Sequence, residues 1–312
     1  LEISELVLGA GYVGGIVIHA DDDTRRDLIR RILGAGINWI DTAESYGDGA
    51  SEKALGWLLA ELPKEERPYL STKFRLDTSR LDDIPGQIEA SLSGSLERLG
   101  LDRIDLYQLH NALGQDGFDI SHVLGPGGVC DSLDELKGQG LFDHLGFTAL
   151  GDPGQCKQLI ASGRVASAQV YYNLLNPSAG RAVPAAWSTT DFENLIAACQ
   201  AAGVAVMNIR IFAGGTLADP EPHGREWPIT RNSDIATEQA RAEKLFAAMA
   251  PDQGSRAQAA VRFGLAHPGV SGVVLGLAEL SHLEEALAAA AMGPLPDDVI
   301  AGLQPVWDGD FA

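Results

Sequence analysis

Short apolar runs alternate with longer amphipathic stretches along the whole chain, and this alternation restricts the fold more than any other feature. The candidate strands are residues 6–8, 38–41, 69–73, 104–110, 145–148, 167–170, 204–208 and 273–276. Between them, apolar residues recur at i, i+3 and i+4, as in Leu28/Ile29/Ile32/Leu33, Ala54/Leu55/Leu58/Leu59 and Ile88/Leu92/Leu96/Leu99. That spacing lays one apolar helix face on a sheet. Gly34, Gly36, Gly100, Gly163 and Gly203 follow such stretches, where a left-handed cap ends a helix. Eight strands with helices between them predict one α/β domain over residues 1–312. Its architecture is a closed (β/α)8 TIM barrel with long loops on the C-terminal face. The competing architecture is a doubly wound sheet. Against it, the glycines of Leu8-Gly-Ala-Gly-Tyr-Val-Gly14 lead into irregular sequence, and a helix starts only at residues 21–24. A dinucleotide fingerprint needs its glycines to open a helix directly.

Several of these strands end in chemistry-bearing residues. Residues 38–41 end at Asp41, with Tyr46 five positions on in a Gly-flanked loop; residues 69–73 end at Lys73; residues 104–110 end at His110. Titratable side chains at the C-terminal ends of successive strands are costly in a core and expected at a barrel's catalytic face. A phenol with a free pKa of about 10 is a useful proton donor only when charged neighbours tune it.

The strings Asp41-Thr-Ala-Glu-Ser-Tyr46, Ser71-Thr-Lys73 and Asp105-Leu-Tyr-Gln-Leu-His110 resemble, in that order, the Asp, Tyr, Lys and His tetrad of the aldo-keto reductase superfamily. The resemblance implies an NAD(P)-dependent oxidoreductase that interconverts an aldehyde, ketone or sugar carbonyl with an alcohol. Tyr46 would pass the proton, Lys73 favour the phenolate, Asp41 compensate Lys73, and His110 orient the carbonyl. It also implies a nicotinamide cofactor across the barrel mouth, with Gly9, Asp41, Thr148 and Gln169 near the nicotinamide. Arg210, helped by backbone amides around Gly214 and Gly215, would lie by the pyrophosphate, Gly276 and His282 towards the adenosine, and Leu217 would be a further cofactor contact. The sequence departs from the family pattern at Ala149, where an amide side chain is usual, and at Ile209, where many members stack a tyrosine. NADP(H) is the family default, but residues 276–286 contain no Lys or Arg and include Glu279 and Glu285. That segment favours NAD(H).

Three irregular stretches, residues 111–131, 176–190 and 217–234, would rise on the catalytic face. They bring Phe118, Trp187 and Trp227 forward as substrate-pocket walls, alongside Tyr46 and His110. Two other readings stand beside the enzyme: a nucleotide-retaining regulatory module, and a non-redox epimerase or lyase with tightly bound cofactor. Composition restricts the partners. Forty-three acids against 23 bases give a formal charge of −20, which argues against nucleic acid or an anionic membrane surface. The expected partner is a small carbonyl or sugar, and the oligomeric state is open. Three scattered cysteines, Cys130, Cys156 and Cys199, lack metal-ligand spacing and read as reduced thiols. No long apolar span or basic-then-apolar leader is visible, so a cytoplasmic location without a metal site is the expectation.

Overall fold

Eight parallel strands pair in chain order and close on themselves in the computed structural model, which describes residues 1–221, 226, 228 and 233–312. They are β1 (Leu6–Gly9), β2 (Trp39–Asp41), β3 (Tyr69–Phe74), β4 (Ile104–Leu109), β5 (Phe142–Thr148), β6 (Ser167–Tyr171), β7 (Ala205–Ile209) and β8 (Gly272–Gly276). Gly9 is in register with both Asp41 and Gly276, which closes the ring. This is the (β/α)8 barrel that the alternation predicts.

Strand periodicity then sorts the side chains. Outward residues such as Leu8, Ile40, Leu70, Tyr107 and Phe147 join the large core under the helices. Inward, Val7, Trp39, Leu106, Met207 and Val274 form a separate apolar plug. Nearer the C-terminal ends of β2, β3, β4 and β6, inward positions turn polar at Asp41, Lys73, Gln108 and Gln169, all buried. An apolar floor under a polar layer is what raises the chemistry to the mouth.

The helices start and stop on the expected signals. Asp21, Asp83, Asp152 and Asp234 each accept a backbone N–H at a helix N-terminus. Gly100 and Gly203 take φ values of 63° and 68° just past their helices, a region where a Cβ is penalised. Residues 111–131 are less irregular than the sequence suggests, since they contain the helix Ile120–Leu124 and the start of Val129–Gly138. Ile120–Leu124 is too short for a periodic pattern; Asp119 and His122 cap it reciprocally. Among the described residues, no single helix is long and apolar enough to cross a membrane.

Candidate active site

Lys73 lies at the centre of the polar layer. β3 carries it inward with its side chain fully buried, and three acceptors face the ammonium. They are Asp41 Oδ2 at 2.6 Å, the Thr42 carbonyl at 2.8 Å and the Tyr46 hydroxyl at 3.1 Å. Burial by itself favours the neutral amine, but the Asp41 carboxylate and Tyr46 outweigh it and hold Lys73 above its ordinary value.

Tyr46 is half-buried on the loop after β2, and its ring meets His110 edge-on at 6.0 Å. His110 follows β4 and is fixed by its backbone N–H, which donates to the Phe74 carbonyl at 2.9 Å. Burial, reinforced by Lys73, Arg75 and Arg210, pushes the imidazole down to about 3. It is neutral at pH 7, with one ring nitrogen that donates and one that accepts. Asp41, Tyr46, Lys73 and His110 therefore converge from three strand ends and one loop.

A profile of the aldo/keto reductase family matches residues 5–308. The chain belongs to the aldo/keto reductase family.

Relatives within that family extend the likeness over most of the molecule. An uncharacterized oxidoreductase, YqkF, of Bacillus subtilis is 25% identical over 97% of this chain and 92% of that protein. D-threo-aldose 1-dehydrogenase of a Pseudomonas species is 27% identical over 71% of this chain and 70% of its own. The holo form of aldo-keto reductase AKR11C1 from Bacillus halodurans superposes with a TM-score of 0.75 at 23% identity, covering 98% of this chain and 93% of that one. The family makes the chain an oxidoreductase.

Asp41 carries two partners that sequence reasoning missed. Its Oδ1 accepts from Ser71 Oγ at 2.7 Å, Gln169 Nε2 at 2.7 Å and Gln108 Nε2 at 3.0 Å. Period-2 alternation from Lys73 and His110 would have found both Ser71 and Gln108, because each sits two positions before a tetrad member on the same inward face. Gln169 was read for the cofactor alone, and here its amide nitrogen serves Asp41.

The other aldo/keto reductase positions divide by burial. Thr148 is buried at the end of β5, and its Oγ1 has no partner among the described residues. Gly9 and Gly276 line the seam between β1 and β8: a Cβ on Gly9 would stand 2.8 Å from the Leu275 carbonyl, and one on Gly276 would stand 3.0 Å from that of Val13. Arg210 is exposed at a φ of 60°; its carbonyl accepts from Asn173 Nδ2 at 2.7 Å and its guanidinium lies 5.7 Å over Tyr171. Gly214 is buried within the turn Ala213–Gly215.

Leu217 needs correction as a cofactor contact, and Gly215 as a phosphate contact. Both amides donate to the Phe212 carbonyl, at 3.0 and 2.9 Å, and the Leu217 side chain is fully buried. Those two amides are spent inside the turn and are not offered to an anion. Glu226 also packs against Gly215.

At the far end of the mouth, His282 is exposed in the first turn of the helix Leu280–Met292, and its Nδ1 accepts from the Ala278 amide. Glu279 precedes that helix without a side-chain capping bond. Glu285 accepts from Ser255 Oγ, and Arg256 is paired with Glu243 at 2.8 Å.

Of the aromatic candidates for the pocket wall, Phe118 is corrected. Phe118 is 1% exposed and stacks on His122, so it builds the interior of its loop and presents no face to substrate. Trp187 packs on Phe311 near the end of the chain at 5.6 Å. Trp227 lies outside the described residues. A cavity of about 600 Å³ on the flank involves Tyr172, Arg181 and Gln304 and no tetrad residue, so the site is assigned by the tetrad geometry. A smaller one of about 330 Å³ lies at the rim, lined by Glu44, Arg75 and Ser91 among others.

Proposed function

We propose that this oxidoreductase interconverts a carbonyl and an alcohol with a nicotinamide cofactor, and that Tyr46 passes the proton. One observation carries the reading: a buried Lys73 ammonium held between Asp41 Oδ2 at 2.6 Å and the Tyr46 hydroxyl at 3.1 Å. A lysine in that position lowers the cost of charge on the phenol oxygen while Asp41 keeps the ammonium itself compensated. In reduction, Tyr46 donates its proton to the carbonyl oxygen as negative charge grows there. The neutral His110 donates a ring N–H to the same oxygen and sets its direction. In oxidation, Tyr46 takes the proton back with Lys73 as its counter-charge.

The chain's residues fit the nicotinamide. Thr148 Oγ1 is a buried hydroxyl without a partner among the described residues, and the Gln169 amide oxygen remains beside the nitrogen that serves Asp41. These two would hold the carboxamide; Ala149 adds nothing polar. Arg210, exposed at the end of β7, would reach the pyrophosphate. When bound, the nicotinamide supplies or accepts the hydride.

NAD(H) is the preferred cofactor in this reading, against the family default of NADP(H). The adenosine end presents Glu279 and His282, and the nearby Arg256 is already paired with Glu243. A carboxylate there accepts ribose hydroxyls and repels a 2′-phosphate. The substrate is a small aldehyde, ketone or sugar. Likeness to an aldose dehydrogenase favours a sugar. Tyr46 retained beside Lys73 favours an enzyme over a nucleotide-sensing module.

Titrating the protein with NADH and with NADPH, followed by nicotinamide fluorescence, tests the cofactor half. NADH is expected to bind at least about 10-fold more tightly, equivalent to about 1.4 kcal/mol. Tighter NADPH binding would overturn the preference, and no binding of either would overturn the function.

A further inference from the structure

Gln108 sits on β4 in register with Lys73 on one side and with Gly146 on the other. It is fully buried, and its Nε2 donates to Asp41 Oδ1 at 3.0 Å, while its Oε1 is buried without a donor. A carboxylate cannot donate, so an amide facing Asp41 must present nitrogen and leave its oxygen to the barrel interior. The side chain thus forgoes a satisfied oxygen to make one charge-assisted bond, a pattern that marks functional rather than packing roles. Gly146 makes the room: a Cβ there would stand 3.1 Å from Gln108 Cγ.

With Ser71 and Gln169 on the same oxygen, three donors draw charge to Oδ1, and among the described residues Lys73 alone occupies Oδ2. The carboxylate is held in one rotation, with part of its charge neutralised from the side away from Lys73. We propose that Gln108 is a positioning residue: it fixes and partly neutralises Asp41, so that the Lys73 charge acts on the Tyr46 hydroxyl instead of being absorbed by its ion pair. This rests on the proton-passing role given to Tyr46. Among the described residues, the charged or titratable groups facing the phenol are Lys73, His110 and, through Lys73, Asp41. Removing the amide lets Asp41 draw Lys73 harder, and the phenolate then forms at higher pH.

The first arm of the test uses the whole chain without cofactor, so that arm does not depend on turnover; the second reads the rate profile of Gln108→Glu. Phenolate absorbance is titrated in the parent and in Gln108→Met and Gln108→Glu, each referenced to its own Tyr46→Phe derivative to isolate the Tyr46 signal. Gln108→Met keeps the length without the donor and is expected to move the Tyr46 transition up by about half a pH unit or more. Gln108→Glu restores a donor only while its acid is protonated. Its kcat is expected to show an extra limb, falling as pH rises through that ionisation, while KM and the melting temperature stay near those of the parent. A Tyr46 transition unmoved in Gln108→Met, or a Gln108→Glu rate profile parallel to that of the parent, would overturn the proposal. If Gln108→Met does not fold, Gln108→Glu decides by the same phenolate titration, in which an unmoved transition again overturns it. A parent that turns over no carbonyl, with the phenolate shift present, would refute the function and leave the positioning role standing.

Discussion

Lys73 couples stability to chemistry at the scale of single residues. It is buried against a carboxylate that is 3% exposed, so removing either partner leaves a charge in the barrel interior. Lys73→Met is expected to lower stability by about 3–5 kcal/mol in urea unfolding as well as to abolish turnover. Adding Asp41→Asn should recover much of the stability and none of the activity. Equal stability of the parent and Lys73→Met would show that the pair is not held as described. His110 gives a pH prediction with a definite sign. Its folded value of about 3 lies below the ordinary 6.5, so between those values the unfolded chain binds a proton that the folded chain does not. Its contribution to stability is therefore complete above about pH 6.5 and is lost as pH falls towards 3. Urea midpoints measured across that window should decline, and His110→Gln should flatten the decline. The tetrad was legible in the sequence because each member ends an apolar run or follows one closely. Ser71 and Gln108 were not, because a polar residue inside a strand is visible only once the inward face has been assigned from Lys73 and His110.

At the scale of elements, close contacts between helices carry information that composition hides. Gly56 lies within the helix Ala50–Ala60, and a Cβ there would meet the Arg98 carbonyl of the helix Ile84–Leu99 at 2.4 Å. Gly56→Ala should force these helices apart and cost about 1–3 kcal/mol, despite the higher helix propensity of alanine. Turnover per folded molecule should be unchanged, so thermal unfolding together with active-site titration checks the prediction. The strands were readable from apolar runs and the helices from their 3.6-residue spacing. The loops were harder. Residues 111–131 hold the five-residue helix Ile120–Leu124 and only the start of Val129–Gly138, too little of either to show a period, and Phe118 turns inward because its loop needs an apolar centre of its own. A loop aromatic looks the same in sequence whether it faces a ligand or its own backbone. Leu217 fails as a cofactor contact for a related reason, since its amide bonds within the turn after β7 and its side chain is buried.

For the whole molecule, the net charge of −20 acts on every anionic ligand that approaches the barrel mouth. Screening by salt should weaken that repulsion more for NADPH than for NADH, because NADPH carries the additional phosphate. Raising ionic strength should therefore narrow the gap in affinity between the two, and fluorescence titrations at several salt concentrations measure it. A gap that widens with salt would point instead to a specific cation at the 2′ position. The central claim remains the proton passed by one phenol while a cofactor moves hydride. Its most direct test follows nicotinamide absorbance over a panel of aldoses and small aldehydes, comparing the parent with Tyr46→Phe after both are shown to bind the cofactor. The account predicts turnover by the parent and a loss of about 10²–10⁴-fold in kcat for Tyr46→Phe. Equal rates from the two proteins would contradict it.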